Sequence, residues 1–223
     1  VAEKEKDPEQ DMLFREIDED LREEQLATFW KTWGNVIIGA AVALVVAVAG
    51  YQGWRTYDIN SRHAEGERFA SALILARTEQ TEQAISSFSQ MGQDSRDGYA
   101  MLAMFREAGL LSKKGDRKAA SLVFAKLAND GRFPDLYQDM AMVLSVLHDM
   151  DQGDAATLAQ NLEPIAADDN PWRHSARELI AALAFKSGDR DRARDLYKGL
   201  SEEAGTPTGV RNRATEMLAV LDR

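Results

Sequence analysis

Apolar and polar positions divide the chain into three regimes. From Trp33 to Trp54 it reads WGNVIIGAAVALVVAVAGYQGW, 22 residues without a charge, in which Asn35 and Gln52 are the polar side chains. A helix of that length rises about 33 Å, close to the hydrocarbon thickness of a bilayer. The pattern predicts one transmembrane helix over 34–54, with Trp33 at one interface, Tyr51 and Trp54 at the other, and Lys31 and Arg55 just outside. Ahead of it, Leu13, Ile17 and Leu21 recur every four residues, and Leu26, Phe29, Trp30 and Trp33 continue an apolar stripe. That spacing predicts an amphipathic helix capped by Asp11, after an unpatterned segment 1–10 expected to be disordered. Beyond residue 55 apolar positions keep helical spacing and nowhere alternate as in a strand, so the fold class is all-α.

The length of the uncharged run argues against a buried core helix. Ala47-Val48-Ala49 has the small-x-small form of a signal-peptide cleavage site. Signal peptides, however, open on a short basic region, and here 33 mostly acidic residues precede the run. The reading is a retained, single-pass anchor. Within it Gly39, Ala43 and Ala47 form a stripe that would let a second helix approach closely, though ordinary membrane-helix composition gives the same stripe.

The region 55–223 repeats itself. Gly115-Asp116, Gly153-Asp154 and Gly188-Asp189 are spaced 38 and 35 residues apart. Each fits a tight turn between antiparallel helices, Gly taking the left-handed position and Asp capping the next helix. After two of these turns come a small residue, an aromatic one turn later and a leucine: Ala120, Phe124 and Leu127, then Ala193, Tyr197 and Leu200. The third has Leu158, Leu162 and Ile165, and an earlier unit without Gly-Asp has Ala84, Phe88 and Met91. Ala72, Ala108 and Ala181 occupy the matching small position on the preceding helix. Small faces small where two helices of a hairpin touch, and the aromatic fills the space between hairpins, a pattern that resembles the tetratricopeptide repeat. Four hairpins are predicted over about 57–92, 96–130, 134–166 and 171–203, with a final helix over 208–222. Pro134, Pro171 and Pro207 precede helix starts, whereas Pro164 shortens or kinks the second helix of the third hairpin. Such arrays offer a concave face to peptides or helices.

Charge sharpens this division. The chain has 37 acidic and 27 basic residues, a formal −10, and residues 1–33 alone hold 11 acids and 5 bases. An acidic surface argues against nucleic-acid binding. It also sets the head apart from basic interfacial helices that adhere to anionic lipid. Three basic residues flank each end of the anchor (Arg15, Arg22 and Lys31; Arg55, Arg62 and Arg68), so the positive-inside rule gives no orientation. No cysteine is present, and His63, His148 and His174 lie far apart without metal-ligand spacing. Asp149–Asp154 imitates a calcium loop but has Gly at the fifth position and Gln160 where a bidentate Glu is needed. Gly205–Gly209 lacks the Lys-Ser/Thr of a phosphate loop. The run Asp189–Asp195 alternates in charge and reads as a solvated helix face. No nucleophile–base pair emerges, so neither enzyme activity, cofactor, metal nor small-molecule substrate is expected.

The order of acidic head, span ending in GYQGW and four-unit repeat region resembles a bacterial family, the inner-membrane proteins with a YfgM-type tetratricopeptide-like domain, ancillary subunits of the SecYEG translocon. The resemblance runs from about Phe14 to the end and includes FREIDEDLREEQLATFWKTWGN, which looks like the proteobacterial form. It implies a cytoplasmic head over 1–33, one anchor over 34–54 and a periplasmic repeat domain over 55–223. The partners it implies are the Sec translocon, periplasmic chaperones or unfolded clients. A scaffold or assembly subunit of another inner-membrane complex, respiratory or envelope-division, is the alternative.

Overall fold

The computed structural model describes residues 8–223, with side chains from Leu26 onward except that of Asp97. The expectation of disorder over residues 1–7 lies outside the described residues. Helix α1, Pro8–Arg77, begins at a proline, whose missing N–H costs no bond at a helix start. Asp11 therefore sits inside the first turn instead of capping it, and residues 8–10 are helical. The amphipathic stretch, the uncharged run and the first helix of the first hairpin are one continuous helix, because no proline or turn signal interrupts residues 9–77. By backbone contact the chain divides into two units, Val1–Arg62 and His63–Arg223.

In the first unit the apolar side chains point outward: Val45 is 67% exposed, Leu44 66% and Trp54 70%. Trp33 and Tyr51 are exposed as well. The stripe Gly39, Ala43, Ala47 is exposed, and a Cβ built on Gly39 meets nothing within 4 Å.

The second unit consists of helix hairpins. The end of α1 packs on α2, Thr81–Asp94, through Phe69, Ala72, Ala84 and Phe88; α3, Asp97–Lys113, pairs with α4, Arg117–Ala128. Helix α5, Asp135–Asp149, is followed by α6, Ala155–Leu162, and α7, Arg173–Ser187, by α8, Arg190–Glu202. Helix α9, Thr208–Leu221, closes the array against α8. The small positions lie where backbones meet: Ala72, Ala84, Ala108, Ala120, Ala181 and Ala193 are all buried. Phe88, Phe124 and Tyr197 are buried beside them, and Phe88 meets Phe69 edge-on at 5.4 Å. Helix α6 has only eight residues and stops two positions before Pro164, whose ring would clash with the preceding turn.

The turns show why sequence repeats imperfectly encode structural ones. Gly115 and Gly188 adopt φ of 94° and 89°, and Asp116 and Asp189 accept hydrogen bonds from the N–H groups of Ala119 and Arg192. Asp154 caps Thr157 in the same way, yet Gly153 is not left-handed. Glycine there saves space: a Cβ would lie 2.8 Å from both Asp149 Oδ2 and Leu158 Cδ1 and 3.0 Å from the Asp149 carbonyl, so those neighbours would have to shift. Conversely, the first hairpin makes the left-handed turn without glycine, at Glu79 with φ 62°.

The charge run on α8 is more than a solvated face. The Arg190 and Arg194 guanidinium groups each donate to the Leu221 carbonyl at 3.0 Å, and Arg192 pairs with Glu163 at 2.6 Å. Arg117 follows Gly115-Asp116 as Arg190 follows Gly188-Asp189, and it donates to the Leu147 carbonyl at 3.0 Å. A Gly-Asp-Arg turn thus places a cation on the C-terminus of the next hairpin's first helix, where exposed carbonyls and the helix dipole favour it.

Candidate functional site

The first helices of the hairpins bury one side on their partners and leave another open. On α5, α7 and α9 the open side forms a cavity of about 810 Å³, walled by Met140, Leu144, Leu147, Leu179, Met217 and Val220. Helical spacing puts Met140, Leu144 and Leu147 on one stripe of α5, and Met217 and Val220 on one stripe of α9. Leu147 and Val220 are 41% and 44% exposed although their side chains are wholly apolar. The methionines bring unbranched, polarisable side chains that fit different apolar surfaces without a fixed partner shape. Polar groups sit at the margin. Arg213 makes a bidentate pair with Glu178, at 2.6 and 2.8 Å, and Glu216 lies beside it. At the other side the Trp172 indole N–H donates to the Leu136 carbonyl at 2.9 Å. The Tyr197 hydroxyl, pushed up to about 12 by burial and then by Glu178, stays protonated and leaves the floor uncharged. The cavity can hold large apolar side chains of another polypeptide. Among the described residues no cluster of His, Asp or Glu has the arrangement of a metal site.

The residues singled out for repeat packing, Ala72, Ala84, Phe88, Ala108, Ala120, Phe124, Ala181, Ala193 and Tyr197, are buried in the array. The sequence pattern did not nominate the cavity wall, because Leu144 and Leu179 have the same spacing as core leucines. Nor did it foresee the Ser121–Ser145 pair, whose hydroxyls meet at 3.2 Å across α4 and α5 with Ser145 donating to the Ser121 carbonyl. Trp33, Tyr51, Trp54, Gly39, Ala43 and Ala47 all belong to the first unit, and none of them lines this cavity.

Residues 27–217 match the family described as the tetratricopeptide repeat-like domain. The chain belongs to that family. A protein from Aggregatibacter actinomycetemcomitans named "Ancillary SecYEG translocon subunit" is 25% identical over 191 residues, covering 83% of this chain and 91% of its own. The all-α repeat fold and the resemblance drawn from the head-span-repeat order agree with both findings. The match to the tetratricopeptide repeat-like family starts at residue 27, ahead of the uncharged run, so it takes in the membrane-length helix together with the repeats.

One titratable group is built into the repeat packing. The His148 ring stacks on Phe124, 5.5 Å between centroids and 7° from parallel, and its buried Nδ1 has no hydrogen-bond partner among the described residues. Burial, and secondarily the nearby Arg117 charge, hold its pKa below the usual imidazole value. The unfolded chain therefore binds the proton more tightly than the folded one. Stability is complete above about pH 6.5 and declines as pH falls from there towards the folded pKa. The urea midpoint is expected to drop between pH 7.5 and 5.5, and to drop less in His148→Gln. Equal drops in the two proteins would show that His148 carries no linkage.

Proposed function

We propose that this protein is a single-pass, non-catalytic accessory subunit of the Sec translocon in a bacterial inner membrane. Its head would be cytoplasmic and its repeat domain periplasmic, holding a translocon-associated chaperone or an emerging client. The observation that carries the reading is the relative named as an ancillary translocon subunit, which matches this chain along 91% of its own length. The structure contributes the two physical parts such a role needs. One is a membrane-length helix with outward-facing apolar side chains and Trp33, Tyr51 and Trp54 near its ends; the Gly39–Ala43–Ala47 stripe is the face on which a channel helix would dock. The other is the open apolar cavity on α5, α7 and α9. Tethering turns a weak groove contact into an effectively intramolecular one, with local concentrations in the millimolar range for short connections.

The test is photocrosslinking in living cells from a reactive residue placed at Leu144 or Val220, with Lys198 on α8 as control. Leu144 and Val220 are expected to capture a translocon subunit, a chaperone or a secreted client, and Lys198 none of them. Stoichiometric recovery with a respiratory or division complex, and no translocon component, would move the protein to that complex.

A further inference from the structure

The open face of the first helices changes character along the array. In the register of the Gly-Asp turns, Phe105, Arg106 and Gly109 of α3 match Val143, Leu144 and Leu147 of α5, and Glu178, Leu179 and Ala182 of α7. The α5–α9 end of this face is the apolar cavity described above. At the other end, between the last turns of α1 and α3, lies a separate cavity of about 390 Å³. Its charged lining residues are Arg77, Arg106 and Lys113, and no carboxylate lines it. This is unusual in a chain of net −10. Several other cations of the repeat domain are paired with carboxylates: Arg117 with Asp151, Lys118 with Asp149, Arg192 with Glu163 and Arg213 with Glu178. Arg77, Arg106 and Lys113 are exposed and hold no ion pair among the described residues. Like charges around one cavity repel, and an anionic ligand would relieve that repulsion.

The floor gives a second, independent indication. Gly109 lies in the interior of α3, where glycine weakens a helix relative to alanine. No packing demand explains it, since a Cβ there meets nothing within 4 Å and its φ is helical. Leu147 and Ala182 carry side chains at the equivalent places. Without a side chain as large as that of Leu147, position 109 leaves open the space between the half-buried Phe105 and Leu110 and the cations.

We propose that this cavity is a second docking site, for an acidic segment of a partner protein that carries a large apolar residue beside its carboxylates. The apolar residue enters over Gly109 against Phe105 and Leu110, while the carboxylates meet Arg77, Arg106 and Lys113. The site requires only that the repeat domain bind proteins, whichever complex the anchor joins. Loss of the crosslinks at Leu144 and Val220 would leave its test unaffected.

That test uses the full-length protein in non-ionic detergent, with a fluorescein-labelled decapeptide holding four glutamates around a Leu-Phe pair. A matched peptide with glutamines replaces the charge. The glutamate peptide is expected to bind at least about tenfold more tightly, and to weaken with salt as exposed charge pairs do. Arg77→Glu with Arg106→Glu is expected to remove that preference. Gly109→Trp should block both peptides, and Gly109→Ala, which adds one methyl group to open space, should bind as the wild type does. Equal affinity for the two peptides, or an unchanged affinity after the double charge reversal, overturns the proposal. Should the double reversal melt early by circular dichroism, Gly109→Trp decides instead, because its side chain enters open space: undiminished binding of the glutamate peptide by that variant overturns the site. Binding of dihexanoyl phosphatidylglycerol below its micelle concentration, without binding of the glutamate peptide, also overturns it and assigns the cavity to a lipid headgroup.

Discussion

Replacing Phe88 with alanine is expected to cost the repeat domain about 3–5 kcal/mol, the usual loss for a fully buried aromatic ring. Phe88 is 0% exposed and sits among Ala72, Ala84, Met91 and Ala103, with Phe69 edge-on at 5.4 Å. Removing the ring takes away the filler between the first two hairpins while the alanine contacts on either side hold the helices at fixed spacing, so the cavity cannot collapse. Domains of this size have about 5–15 kcal/mol in total. Repeat arrays couple chiefly to their nearest neighbours, which makes the damage local. Hydrogen exchange on the full-length protein in detergent should accelerate in the end of α1, in α2 and in α3, while α7–α9 keep their protection. A loss below about 1 kcal/mol, or uniform acceleration through α9, would show that Phe88 does not join these hairpins in the way its burial indicates.

Phe88 also illustrates what the sequence made legible. A small residue followed by an aromatic one turn later is a local pattern with a local cause, two backbones meeting at the small side chain, and it survives as Ala84–Phe88, Ala120–Phe124 and Ala193–Tyr197. Turns were legible where one residue type has one use, as at Gly115 and Gly188. They were not where the same residue serves another need: Gly153 is a matter of space beside Asp149 and Leu158, and Glu79 bears a left-handed conformation unaided. The two cavities were illegible for a different reason. Periodicity tells which positions of a helix are apolar, but Leu144, which faces open space, and Leu183, which is 1% exposed, have the same identity and similar spacing. Which apolar stripe remains uncovered depends on how neighbouring hairpins are packed, and that is long-range information. The Arg117, Arg190 and Arg194 bonds to distant carbonyls are hidden in the same way, since an arginine in a charge run looks solvated until its partner helix is placed.

Val42→Arg together with Val46→Arg is expected to release the chain from the membrane. At the centre of a spanning helix an arginine costs about 2.5–3.5 kcal/mol on insertion scales, against a small gain for valine, so two of them oppose insertion by roughly 6 kcal/mol. Positions 42 and 46 are one helical turn apart and midway between Trp33 and Trp54, too far from either end for both guanidinium groups to reach an interface comfortably. The alternative place for this segment, water, is also poor. Val42, Leu44, Val45, Val46 and Val48 are all more than half exposed, and a continuous apolar cylinder of this length exceeds any patch a soluble monomer tolerates. Wild-type protein should therefore stay with the membrane pellet after alkaline carbonate extraction and the double-arginine chain should appear in the supernatant. Trp33→Leu with Trp54→Leu, which changes interfacial anchoring but not apolarity, should remain in the pellet. If the double-arginine chain also resisted extraction, the segment would still be integrated in lipid, and the apolarity of positions 42 and 46 would not be what holds these 22 uncharged residues in the membrane.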